Sequence, residues 1–101
     1  MTNYTEEQIL ERTKKILKDL HREYYNESKI ESLYFNAKEE LPNGENEGKE
    51  HPCWVIFVKA LFDNNDFLTI SDETGEPLYY QNFNLNTAEI AKDSEGVYYC
   101  K

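Results

Sequence analysis

Acidic residues gather where this chain turns. Asp63 and Asp66 bound the stretch Asp63-Asn64-Asn65-Asp66, and Asp72 and Glu73 open Asp72-Glu73-Thr74-Gly75. Glu45, Glu47 and Glu50 stud the polar stretch between Pro42 and His51. Two close carboxylates can bind calcium or perform acid–base chemistry, but the twelve-residue calcium-loop pattern is missing. Turns select Asp and Asn in any case. The two histidines, His21 and His51, have no Cys or His at metal-ligand spacing. There is no nucleophile motif, and the four glycines form no phosphate-cradling loop. The expectation is a protein that is not an enzyme and needs neither cofactor nor metal. A small enzyme with an acidic pocket would need a His or carboxylate dyad that the sequence does not supply.

Acids that do no catalysis can still recognise a partner. Net charge is −9, from 20 acidic and 11 basic residues. Met1 to Asn26 holds five of each sign, so the whole excess lies between Glu27 and Lys101. Phosphate binding needs clustered Lys and Arg, which this part lacks, so nucleic acid and anionic membranes are not expected partners. A basic protein is, because acidic surfaces speed encounter with basic ones. Negative charge serving solubility alone is the plainer explanation. Tyr residues would supply the anchors, since interface energy concentrates in aromatic side chains. Tyr79-Tyr80 and Tyr98-Tyr99 each send one ring to either side of a strand. The outward rings, with Tyr34, could form an aromatic patch, and Tyr80 is the first candidate. Ordinary cross-strand packing competes with that reading. The expected site is therefore Glu45, Glu47, Glu50, Asp63, Asp66, Asp72, Glu73 and Tyr80.

The elements that must position these residues are legible in the spacing. Thr5 and Gln8 form a capping box, with Tyr4 and Ile9 as its hydrophobic staple. Ile9, Thr13, Ile16, Leu17, Leu20 and Tyr24 then recur on one helical face. The spacing predicts a helix over about 5–25. Leu33, Phe35 and Ala37 alternate with polar residues, which predicts a strand over 31–39. The run Cys53 to Phe62 is apolar on both faces, with Trp54 in the core, and predicts a central strand over 53–62. Further strands are expected over 67–71 and 77–83, then a short helix or turn over 86–92 and a short strand over 97–100. The 101 residues suit one domain. The predicted fold is α+β in two layers, an N-terminal long helix packed on a mostly antiparallel sheet of four to five strands.

No stretch approaches the ~20 apolar residues of a membrane span. The opening Thr2-Asn3-Tyr4-Thr5-Glu6-Glu7 has no apolar signal core. The expected compartment is the cytoplasm, with Cys53 and Cys100 as two free thiols.

One segment carries a resemblance. Trp54-Val55-Ile56-Phe57-Val58, a hairpin, and then Ile70-Ser71-Asp72-Glu73-Thr74-Gly75-Glu76-Pro77-Leu78 resemble the tryptophan-led strand and Thr-Gly turn of PepSY-like domains. The segment is also similar to small immunity proteins of bacterial toxin systems, such as the immunity protein 35 family, as is the helix-then-strands order. The chain departs at Pro77, where an aliphatic residue is usual, and in the acidic stretch around Glu45 to Glu50. The resemblance implies a non-enzymatic bacterial domain that binds and neutralises a cognate toxin. The alternatives are a PepSY-like regulatory or peptidase-inhibiting domain and a self-associating module.

Overall fold

The computed structural model describes residues 2–40, 50–60, 64–82, 84 and 86–101, with the backbone alone at 24, 38–40 and 50. Helix α1 spans Glu6–His21 and is followed by two 3-10 turns, Arg22–Tyr24 and Glu27–Lys29. Six strands follow: β1 Ile30–Glu40, β2 Glu50–Lys59, β3 Asn65–Ser71, β4 Pro77–Gln81, β5 Thr87–Lys92 and β6 Tyr98–Cys100. They form one antiparallel sheet in the order β1-β2-β3-β4-β5-β6, each strand beside its neighbour in sequence. The α+β fold with one helix on an antiparallel sheet is as the spacing predicts, with more strands than expected.

The start of α1 follows its sequence signals. Thr5 accepts from the backbone N–H of Gln8, and Gln8 accepts in return from that of Thr5. Glu6 and Glu7 occupy the first turn, where the helix dipole favours anions. A helix of 16 residues is marginal alone. Its buried stripe of Ile9, Thr13, Ile16 and Leu17 holds it against the sheet. Thr13 satisfies its hydroxyl on the carbonyl of Ile9 at 2.8 Å.

The helix ends earlier than its apolar period suggests. Arg22 takes φ 53° and ψ −117°, a conformation costly for any side chain with a Cβ, and the chain leaves in a 3-10 turn. The segment expected as a short helix or turn over 86–92 is strand β5, pairing with β4 and β6. Ala88, Glu89, Ala91 and Lys92 favour helix locally, but the open edges of both neighbouring strands reward extension more. Asn65 and Asp66, expected in a turn, open β3. Leu61, Phe62 and Asp63 lie outside the described residues, as do Glu45 and Glu47.

The sheet divides the side chains into two populations. Trp54, Ile56, Val58, Leu68, Ile70, Ile90 and Tyr98 form one core with α1, with Leu33, Phe35 and Tyr80 packed against it. Trp54 is buried, as expected. Cys53 and Tyr79 form a second, smaller cluster on the other face. Both cysteines are free thiols, Cys53 buried and Cys100 exposed. Among the described residues, no helix is long and apolar enough to cross a membrane.

Candidate protein interface on the helix-free face

The alternation along β1, β2 and β3 places Tyr34, Val55, Phe57, Phe67 and Thr69 on the face away from α1. Phe57 and Phe67 stand directly opposite each other, 5.1 Å between ring centroids at 90°. Tyr34 meets Phe57 edge-on at 5.7 Å and 80°. The three rings form a ladder across three strands, in the edge-to-face geometry that aromatic pairs favour. Tyr34 is 45% exposed, and Phe57 and Phe67 are half-buried. Beside the ladder lies a depression of about 180 Å³, bordered by Tyr34, Val55, Phe67, Thr69, Tyr79 and Gln81. Tyr99, 44% exposed, falls on the same face at the far side of the sheet.

A β-bulge shapes this face. Pairing slips between Thr69 and Ile70, so that Ile70 faces Pro77 while Thr69 faces Tyr79. The extra residue, Leu78, packs with Cys53 and Tyr79. The bulge sets which tyrosine of the pair points where. Tyr79 goes to the helix-free face and is buried there, and Tyr80 goes to the helix side.

That assignment corrects the expected anchor. Tyr80 is half-buried against the core and donates its hydroxyl to Asp66 Oδ2 at 2.6 Å. Burial, reinforced by the Asp66 carboxylate, pushes its phenol well above the ordinary range. The edge of the His21 ring meets it at 5.8 Å and 85°. His21 itself is half-buried. Desolvation first, then the charge of Lys29, lowers its pKa, against a smaller opposing pull from Asp66.

Of the expected acids, the three whose side chains are described, Asp66, Asp72 and Glu73, do not converge. Asp66 sits at one end of β3, bound by Tyr80, while Asp72 and Glu73 follow its other end, about 20 Å away by strand rise. Asp72 is 2% exposed and faces no solvent. Its Oδ1 accepts from the Trp54 indole N–H at 2.9 Å and the Tyr4 backbone N–H at 3.3 Å, and its Oδ2 from the Asn3 backbone N–H at 2.9 Å. It therefore ties the segment before α1 to β2 and the β3–β4 turn. Glu73 is the exposed acid of that turn, its carboxylate 4.0 Å from His51 Nε2. His51 also contacts Ser71 Oγ at 2.9 Å, but Ser71 is 1% exposed and its oxygen accepts the backbone N–H groups of Glu73 and Thr74. That hydroxyl braces a turn and is closed to a substrate. Of Glu50, the structure describes only its place at the start of β2.

A larger open cleft of about 590 Å³ runs along α1, where Tyr4, Arg12, Lys15 and Tyr98 meet Glu7 and Glu11. Its groups are occupied in fastening the helix. Arg12 donates to the Gly75 carbonyl at 3.1 Å and lies 5.1 Å over the Tyr4 ring. Lys15 pairs with Asp19, which also accepts the Tyr98 backbone N–H. Tyr98 donates to Glu76 at 2.6 Å, and burial together with that carboxylate pushes its pKa up to about 12. Among the described residues, every buried side-chain polar atom has a partner, and no group of three or more His, Cys, Asp or Glu is placed to hold a metal ion.

The aromatic ladder was only partly visible in sequence. Tyr34 was a candidate for an exposed aromatic patch, but Phe57 and Phe67 read as strand interior. The usable signal was that Cys53, Val55 and Phe57 make a second apolar face for which the chain offers only one long helix as cover. Comparison with family models, with curated proteins and with solved structures gives no match.

Proposed function

We propose that this chain is a small acidic protein-binding domain that docks a basic partner on the helix-free face of its sheet, and that it acts as an immunity protein neutralising a cognate bacterial toxin in the cytoplasm. The observation that carries the binding reading is the Tyr34–Phe57–Phe67 ladder, with Tyr34 45% exposed beside an open depression. Aromatic side chains grouped on one face, here one exposed and two half-buried, are the composition of an interface centre. The charge of −9 supports a basic partner. The turn acids contribute through long-range attraction: Asp66 and Asp72 are each held by bonds within the fold, while Glu73 is exposed. The inhibitor role rests on the resemblance of about residues 52–80 and on the helix-then-strands order.

The test is capture from cells that make the protein, with wild type and Tyr34→Ala as bait, at low and high salt. The expected result is one basic protein, retained by wild type, released by salt and lost with Tyr34→Ala, whose toxic activity the purified domain blocks. Equal capture by both baits would refute the face. Capture of a partner whose activity the domain leaves intact would refute the inhibitor role.

A second reading, self-association through strand edges, is favoured by β1, whose 11 residues pair only with β2 among the described residues. Register shifts near both ends of β1 blunt that edge. Sedimentation of the pure domain separates the readings, because edge pairing requires a dimer at micromolar concentration.

A further inference from the structure

We infer that the depression on the helix-free face receives a single arginine side chain of the partner; this rests on the docking surface proposed above and names its chemistry. Among the described residues, the aromatic ones that border the depression are Tyr34, exposed, Phe67, half-buried, and Tyr79, buried with 6% of its surface exposed. Aromatic rings attract cations, and the planar, weakly hydrated guanidinium packs on them better than an ammonium does. Among the described residues, no cationic one lines the depression. The volume, about 180 Å³, suits one side chain, since a cavity of about 150 Å³ takes a benzene-sized group.

The polar groups have the matching sign. Gln81 donates its Nε2 to Thr87 Oγ1 at 3.3 Å, which leaves its carbonyl oxygen as the acceptor. Glu89 stands opposite Tyr79 on β5, its side chain 43% exposed and its Oε1 3.9 Å from Lys101 Nζ. That distance is a loose surface pair, which an incoming guanidinium can replace. An aliphatic anchor would use none of these acceptors. A carboxylate would meet an acceptor in Gln81, a nearby acid in Glu89 and a protein of net charge −9.

The probes are N-acetyl-arginine amide and N-acetyl-leucine amide, titrated into the domain while backbone amide resonances are followed. The expected result is saturable shifts at Tyr34, Val55, Thr69 and Gln81 with the arginine probe, at a Kd on the order of 1–10 mM. Tyr34→Ala should weaken that binding about threefold to tenfold. Gln81→Leu, which keeps the volume and removes the acceptor, should weaken arginine and favour leucine. Arginine shifts spread equally over Glu73 and Asp93 would show mere attraction to an acidic surface and overturn the assignment, as would tighter binding of leucine by wild type. If arginine fails here while Tyr34→Ala still abolishes capture of the partner, the arginine falls and the docking face stands. If capture is indifferent to Tyr34→Ala, the face itself is wrong.

Discussion

Trp54 and Asp72 are joined by a 2.9 Å hydrogen bond from the indole N–H to a carboxylate that is 2% exposed. The same carboxylate holds the backbone N–H groups of Asn3 and Tyr4, so one side chain fastens the segment before α1 to the second strand of the sheet. A buried acceptor serving three donors leaves all three unsatisfied when removed. Asp72→Ala should therefore destabilise the domain by about 2–4 kcal/mol in urea titration and red-shift Trp54 fluorescence. A loss under about 0.5 kcal/mol, within the range of ordinary surface substitutions, would show that the segment is held by other contacts.

Gly75 is the second point of that attachment. Its φ is +73°, and a Cβ there would lie 2.8 Å from Tyr4 Cζ and 2.9 Å from Arg12 Cζ. Gly75→Ala should cost about 2–3 kcal/mol, part from the left-handed backbone and part from the clash. In a Tyr4→Ala background the clash term should shrink, leaving about 1–2 kcal/mol of backbone strain. Equal costs in both backgrounds would locate the whole effect in the backbone.

At the opposite end of α1, Arg22 holds φ 53° with a Cβ that opposes it. Arg22→Gly should stabilise the domain by about 0.5–1.5 kcal/mol, a rare direction for a substitution to glycine. A calorimetric Tm that falls would mean that the arginine side chain makes contacts worth more than the strain.

Protonation divides stability into two windows. Tyr98 keeps its proton to about pH 12 when folded, whereas an unfolded tyrosine loses it near pH 10. Between those values the unfolded chain binds fewer protons, so stability falls as pH rises. Tyr98→Phe should flatten that slope in denaturation series from pH 9 to 12. His21 works in the other direction. Its folded pKa is lowered from 6.5, so its contribution is present above that pH and is lost as pH falls through the folded value. His21→Phe should remove this acid sensitivity; an unchanged slope below pH 6.5 would assign it to carboxylates instead.

The parts of the fold that were legible in sequence are those with local signatures. Thr5 with Gln8 announced the helix start, and the Cys53–Phe57 run announced a central strand. Features made by distant residues were not legible. Asp72 meets Trp54 from 18 positions away and Asn3 from 69, so nothing beside it marks it as buried, and a turn acid reads as exposed. The bulge at Leu78 leaves no pattern that distinguishes Tyr79 from Tyr80, and it decides which of them faces the helix. The candidate site suffered most. Its acids were read from turn composition, whereas the aromatic ladder depends on cross-strand register, which alternation alone does not set.

Each strand lies beside the one before it in the chain, and this order shapes how the molecule assembles. Successive hairpins can zip without any long search, because loop closure between neighbouring segments costs little. The helix is the exception: Tyr98 receives its backbone partner from Asp19, 79 positions earlier. During synthesis α1 emerges before the sheet, yet its contact with β6 forms only after that strand is made. Until then part of its apolar stripe is without its final cover, and that interval is when the nascent domain is most open to chaperones and to aggregation.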